Sequence, residues 1–361
     1  MRFKFLLVFI MIPGFCFPAS AASMSLTDIA GRRVTVSEPP ARIICVGPGA
    51  LRLIVYLEAQ DRVVGVESME KRHASGRPYW LAHPQLRTLP VIGPGGPGAI
   101  NKKPDMEAVL RAAPDLIFAT YLDARLADEV SAILNIPVVV LSYGELAVFD
   151  TTVYESLTLA GTILDRNARA DAVIAFIEGV RADLSRRTRD AGADAGPGVF
   201  VGGIGHRGAH GIESTQRDYI PLDWNHAANV ARQVQATLGS HVLVDKEMLL
   251  GLDPDLIFID GGGLALVSED FRKKPDFYTA LTAFRKKKVY TLLPFNFYTT
   301  NIGTAMADAY AIGKTIYPAR FTDVDLAAKA DEIYTFLVGH PVYAKMRLTY
   351  GELGQVAPFI E

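Results

Sequence analysis

The sequence predicts an α/β protein of two similar halves with largely parallel sheets, and three observations carry that prediction. Short apolar runs suited to buried strands alternate with amphipathic stretches of helical period. The segment DMEAVLRAAPDLIF, Asp105 to Phe118, returns as DKEMLLGLDPDLIF, Asp245 to Phe258, with 8 of 14 positions identical and a shift of 140 residues. Between the two copies lies a long stretch of helical periodicity, residues 151–189. At ~100–200 residues per domain, a chain of 361 residues also suits two domains better than one.

The first element is an address. Met1-Arg2-Phe3-Lys4 is a short positive segment, residues 5–12 read FLLVFIMI, and Pro13-Gly14 leads to Ala19-Ser20-Ala21-Ala22. That order of charge, apolar run and small residues is a secretory signal peptide, 1–21, with cleavage expected after Ala21. The run is too short to span ~30 Å of hydrocarbon. Export removes Cys16 and leaves Cys45 as the single cysteine, so no internal disulfide forms. Cys45 lies in the apolar run Ile43–Val46 and is expected to be a buried small hydrophobe.

Seven strands are expected in order: Ile43–Val46, Val63–Val66, Leu116–Ala119 and Val138–Leu141, then Val199–Gly202, Leu256–Asp260 and Val289–Leu292. Each copy of the repeated segment reads as a short amphipathic helix, a proline that stops it and a buried strand Asp-Leu-Ile-Phe. In residues 151–189, Leu157, Ala160, Ile163 and Leu164 recur at helical spacing, as do Val173, Ile174, Phe176, Ile177 and Val180. One rigid helix connecting the halves is expected there, with two shorter helices in a helical layer as the alternative.

Composition narrows the function. Charge is nearly balanced, 37 basic against 39 acidic residues, with no basic block long enough to follow a phosphate backbone, so nucleic acid is excluded as a partner. Mean hydropathy is +0.19, yet past the N-terminus the apolar runs are short and broken by Gly, Pro and charge. A normal composition without heptads excludes disorder, collagen and coiled coil. No Ser-His-Asp pattern, nucleophile elbow or redox C-x-x-C is present, and no catalytic residue is assigned.

These residues resemble the bacterial periplasmic binding proteins of the helical-backbone class, which serve ABC importers for ferric siderophores, haem, cobalamin and some oxyanions. The segment Leu26 to Val36 followed by Pro40-Ala41-Arg42-Ile43-Ile44 is similar to that family's entry hairpin and first core strand. The repeated Glu-x-x-Leu-x-x-x-Pro-Asp-Leu-Ile-Phe unit is similar to its most recognisable motif, and RKKKVYTLL, Arg285 to Leu293, to a late strand of its C-terminal lobe. The resemblance implies two Rossmann-like lobes, 22–150 and 190–361, joined by the connecting helix 151–189, with a ligand cleft between them and limited hinge motion. It implies a periplasmic monomer that delivers an iron chelate, a siderophore or haem, to a permease dimer in the inner membrane. Cobalamin or a molybdate or tungstate oxyanion is the alternative cargo, and a ligand receptor without transport, or a hydrolase on a similar frame, the alternative roles. It further implies one permease-docking glutamate per lobe, Glu107 and Glu247; capping of their own helices is the plainer role for both.

In such a frame a ligand sits where loops leave the carboxyl ends of strands. Reading past the strands gives Arg52, Tyr121, Tyr143, His206, Arg207 and Tyr298 as ligand-binding candidates. Arginine there pairs with carboxylates or oxyanions, and tyrosine stacks on or hydrogen-bonds a chelate. The glycine turns at 47–49, 202–205 and 261–263 allow close backbone approach to an anion. Gly203 to Gly208 matches G-x-G-x-x-G only loosely, and no convincing helix follows it. His206 and His210 are four apart, with His226 and His241 further on; three or four convergent ligands cannot be placed among them, so no metal site and no resident cofactor is assigned. His226 and His241 are expected on surface loops. Trp80 and Trp224 are divided evenly between cleft lining and packing. In Tyr298-Thr299-Thr300-Asn301, the Thr or Asn is expected to cap a helix starting near Gly303.

Overall fold

A computed structural model describes residues 23–37, 39–72, 76–144, 149–191, 196–235 and 240–360. The expected signal peptide lies outside these residues. An antiparallel hairpin of β1 (Ser23–Thr27) and β2 (Arg33–Ser37) opens the fold. The N-terminal lobe then forms a parallel sheet from β3 (Ile43–Val46), β4 (Val63–Gly65), β5 (Leu116–Thr120) and β6 (Val138–Leu141), in the order β4-β3-β5-β6. In the C-terminal lobe, β7 (Val199–Gly202) leads through a small antiparallel pair, β8 (Ser214–Gln216) and β9 (His241–Leu243), to β10 (Leu256–Asp260) and β11 (Val289–Leu292). The parallel order there is β11-β10-β7. All seven expected strands are present, within one residue at their ends.

The sequence echo is a structural one. In each copy an Asp, Asp105 or Asp245, caps the helix that follows, Met106–Ala112 or Lys246–Leu252, by accepting from the amide three residues on, at 3.0 and 2.7 Å. Each helix ends at a left-handed residue, Ala113 (φ 47) or Asp253 (φ 33), just before its proline. The Asp after the proline caps the neighbouring strand's entry. Asp115 accepts from the amides of Ala41 and Arg42, and Asp255 from that of Gly198. The strands then pair in equivalent register, Leu116 with Ile43 and Leu256 with Val199.

Both sheets are covered on both faces, as their unbroken apolar strands require. Ile43, Cys45, Leu116 and Phe118 of one sheet and Val201 and Phe258 of the other share a single core with the helices at 152–188 and 302–338. Ile44, Ile117 and Val138, and separately Phe200, Ile257 and Val289, face smaller outer cores. Cys45 is buried and free.

The expected connecting helix is two helices, Thr152–Leu164 and Asn167–Thr188. Asp165 adopts a left-handed conformation (φ 55) and reverses the chain. The helices then press together at Gly161, where a β-carbon would fall 2.8 Å from that of Ala170. The longer helix buries Ala170, Val173, Ile177, Val180 and Leu184 along one stripe. The join between the lobes is thus a helical layer, not a rod.

Candidate functional site

The carboxyl ends of both sheets are tied together by one loop, residues 294–301, which leaves β11 of the C-terminal lobe and packs on the N-terminal one. It carries two successive left-handed residues, Tyr298 (φ 56) and Thr299 (φ 61). For a β-branched threonine this is strained backbone, about 1–3 kcal/mol, and it persists only where the surroundings impose it.

Arg52 imposes it. Fully buried on the helix Ala50–Tyr56, its guanidinium donates to the carbonyls of Thr300 (2.7 Å), Tyr298 (3.0 Å) and Phe297 (3.1 Å), and to the Tyr143 hydroxyl (3.3 Å). A planar fork of fixed donors suits three converging carbonyls better than an ammonium would. The ring of Tyr79 lies 5.2 Å from this guanidinium. Tyr143 in turn donates to the Gly49 carbonyl (3.0 Å) and is buried.

A second tie runs through Glu67. Its carboxylate accepts from the Gly47 amide (3.1 Å) and from the Tyr298 hydroxyl, which also accepts from the Gly96 amide (3.0 Å). Burial pushes the Glu67 carboxyl up to about 7, although both hydrogen bonds favour the ionised form. Thr299 meets the Tyr121 hydroxyl at 2.9 Å, and Tyr121 is itself left-handed (φ 55) and half-buried.

The loop after β7 forms the facing wall. Gly203 (φ 78) packs against Gly263, where a β-carbon would lie 2.4 Å from the Gly203 carbonyl oxygen; these glycines are there for packing. Asn296 donates to the Gly205 carbonyl (3.2 Å) and so joins this loop to residues 294–301. His206, His210 and His241 then come together. The rings of His206 and His241 stack at 4.2 Å with 13° between their planes, and His210 lies 6.2 Å from His241. Burial lowers the basicity of His241, to about 4, and of His206; the neighbouring imidazoles lower both further, as does the exposed Arg207 for His206.

The expected residues therefore divide. Arg52, Tyr143 and Tyr298 are buried framework that shapes the loop at the lobe junction, Tyr121 sits on its rim, and His206 and Arg207 are on the facing wall. His241, expected on a surface loop, opens β9 and is half-buried; His226 is exposed, as expected. Trp80 and Trp224 are both packed in the core. Asn301 precedes the helix Ile302–Ile316 but does not cap it: its amide donates to the carbonyls of Phe295 (3.1 Å) and Phe297 (2.9 Å) instead. Glu67 was not anticipated, although reading past Val66, as past the other strands, reaches it. Among the described residues no group of three or more His, Cys, Asp or Glu is arranged to hold a metal ion, and no helix is long and apolar enough to cross a membrane.

Glu107 and Glu247 occupy equivalent places, in the first turn of the two repeated helices, and both are exposed. Neither caps its helix, because Asp105 and Asp245 do. Glu107 faces Arg111, at 3.6 Å on the open surface.

Comparison with known proteins places this frame. Molybdate-binding protein MolA of Haemophilus influenzae is 26% identical over 358 residues, covering 92% of this chain and 96% of that protein. The structure of MolA bound to molybdate superposes with a TM-score of 0.69 at 22% identity, over 88% of this chain and 98% of that one. A periplasmic solute binding protein from Veillonella parvula gives a TM-score of 0.73 at 19% identity, over 91% and 97%. The family model described as periplasmic binding protein matches residues 43–294, well over half of the sequence. With its two parallel-sheet lobes and its repeated helix–strand unit, the chain belongs to the periplasmic binding protein family, the substrate-binding components of ABC transporters.

Proposed function

We propose that the chain, exported by a signal peptide at 1–21, is a periplasmic monomer with lobes 22–150 and 190–361, and that it carries a small tetrahedral oxyanion of the molybdate or tungstate type to an inner-membrane permease. One observation carries the choice of cargo. Two of the three tyrosines expected to embrace a chelate are spent on the frame, Tyr143 on Gly49 and Arg52, and Tyr298 on Glu67 and Gly96. That leaves hydroxyl, imidazole and guanidinium groups for the ligand, which suit a compact anion. The likeness to MolA, whose name states molybdate, supports the same reading. A ferric chelate is the second reading, favoured by the half-buried Tyr121, whose hydroxyl meets Thr299 of the junction loop. Glu107 and Glu247 are proposed as the two docking points for the permease.

Thermal unfolding of the mature protein, from residue 22, tests the cargo against molybdate, tungstate, sulfate, ferric siderophores, haem and cobalamin. A ligand at 100 times its Kd adds about 2.7 kcal/mol, a readily measured shift. Stabilisation by molybdate or tungstate is expected. Stabilisation by a chelate or macrocycle alone would move the assignment to the second reading, and a melt that nothing shifts would remove both.

A further inference from the structure

The three imidazoles beside Arg207 are gathered from two separate segments, and hydrogen bonds fix the tautomers of two of them, His210 and His241. Ser214 donates its only hydroxyl proton to the Ile204 carbonyl (2.6 Å), so at 2.9 Å from the same oxygen His241 Nε2 must be the donor. His210 Nε2 lies 2.8 Å from the His206 carbonyl oxygen, which can only accept, so it too carries the proton. In the neutral state the Nδ1 atoms of His210 and His241 are therefore lone pairs, and among the described residues no hydrogen bond uses them. The ring nitrogens of His206 likewise make no hydrogen bond among those residues. Three half-buried imidazoles thus lie together past the carboxyl end of β7 with nitrogens that no hydrogen bond among the described residues uses.

Bare metal is a poor occupant. The His206 and His241 planes are nearly parallel at 4.2 Å, so their lone pairs do not converge on one ion, and the Arg207 charge acts on His206. The charged and titratable groups that bear on the cluster are Arg207 and His210 from the 203–211 loop, His206 itself, and His241 from β9. Glu213, at the start of β8, turns its carboxylate to the Gly211 amide and acts on Lys274 and Tyr278 instead. Among the described residues, no carboxylate acts on His206 or His241 to offset positive charge there. A neutral imidazole whose N–H is already committed offers an anion nothing; a protonated one offers a new, charge-assisted donor.

We propose that His206, His210 and His241 with Arg207 form a proton-coupled oxyanion site, in which one or more imidazoles take up a proton as the anion arrives and donate the new ring N–H to it, from Nδ1 in His210 and His241. This deepens the oxyanion reading above and rests on it. Each proton moves from solvent to a ring nitrogen and leaves again on release, so affinity rises as pH falls, and the site releases its cargo more readily in alkaline surroundings.

Calorimetry with molybdate on the mature protein, at one pH in PIPES and in Tris, reads the proton uptake directly from the difference in heat. About one proton taken up per molybdate is expected, with binding tightening by up to about tenfold per pH unit between pH 8 and pH 6. In His241→Gln and in His206→Gln, each verified as folded by its melt, the proton uptake and the pH dependence should shrink together. Molybdate binding with no proton uptake, unchanged in both variants, would overturn the site while leaving the oxyanion reading intact. Failure of molybdate, tungstate and sulfate to bind at all would remove both. Tight binding of Zn²⁺ or Ni²⁺ with affinity rising towards high pH would show the cluster to be a metal site and overturn the proposal.

Discussion

Glu67 shows how much of the lobe junction turns on one side chain. A carboxyl raised to about 7 binds its proton more tightly in the folded chain than in the unfolded one, where carboxyls titrate near 4.3. Its contribution to stability is therefore whole below about pH 4 and is lost as pH rises through 7. Glu67→Gln keeps an acceptor for the Gly47 amide but has no charge to desolvate. Denaturant titrations from pH 4.5 to 8 should show the wild type losing on the order of 2–3 kcal/mol relative to Glu67→Gln across that window. The comparison isolates Glu67, because Asp260, also buried and raised to about 7, and His241, which acts in the opposite sense as pH falls from 6.5 towards 4, are common to both proteins. Parallel curves would mean that the carboxylate is relaxed by something other than its two hydrogen bonds. The residue types at the strand ends were legible in the sequence, but their roles were not. Whether Tyr298 lines a cleft or clamps a loop depends on Glu67 and Gly96, some 200 positions away, and on a backbone twist at Thr299 that no local pattern encodes.

The repeated unit was legible because its determinants are local: an acidic cap, an amphipathic turn, a proline, a buried strand. Its structure separates two carboxylates that the sequence leaves as rivals for one task. Asp245 accepts the Met248 amide and caps its helix, while Glu247, two residues on, makes no such bond. Asp245→Ala should cost about 1 kcal/mol in a denaturant titration, whereas Glu247→Ala should stay within about 0.5 kcal/mol. Equal losses at the two positions would return Glu247 to a structural role. The long connector was less legible, since Asp165 and Asn167 are polar residues of a kind that helices also expose. The break there is decided by tertiary packing, by the near contact of Gly161 with Ala170 and by the core that both helices share with the two sheets.

For the whole molecule the shared core has a consequence for delivery. Both sheets pack on one helical layer, and Glu107 and Glu247 present equivalent carboxylates, one on the repeated helix of each lobe. Glu107 is 88% exposed, and the leucines one turn on from each glutamate, Leu110 and Leu250, are also unusually open to solvent at 53% and 38%. Two matching acidic and apolar edges suit a partner that offers the same pocket twice, as a two-fold permease dimer does. Rim carboxylates act mainly on encounter and orientation, so their loss should leave the ligand site untouched. The double substitution Glu107→Ala and Glu247→Ala should bring uptake by permease-containing vesicles to background while molybdate affinity stays within about twofold of wild type, and each single substitution should fall between. Raising the salt concentration should weaken wild-type uptake in the same direction. Full uptake by the double variant would show that the carboxylates are ordinary surface charge, and would shift the search for the docking face to the exposed leucines beside them.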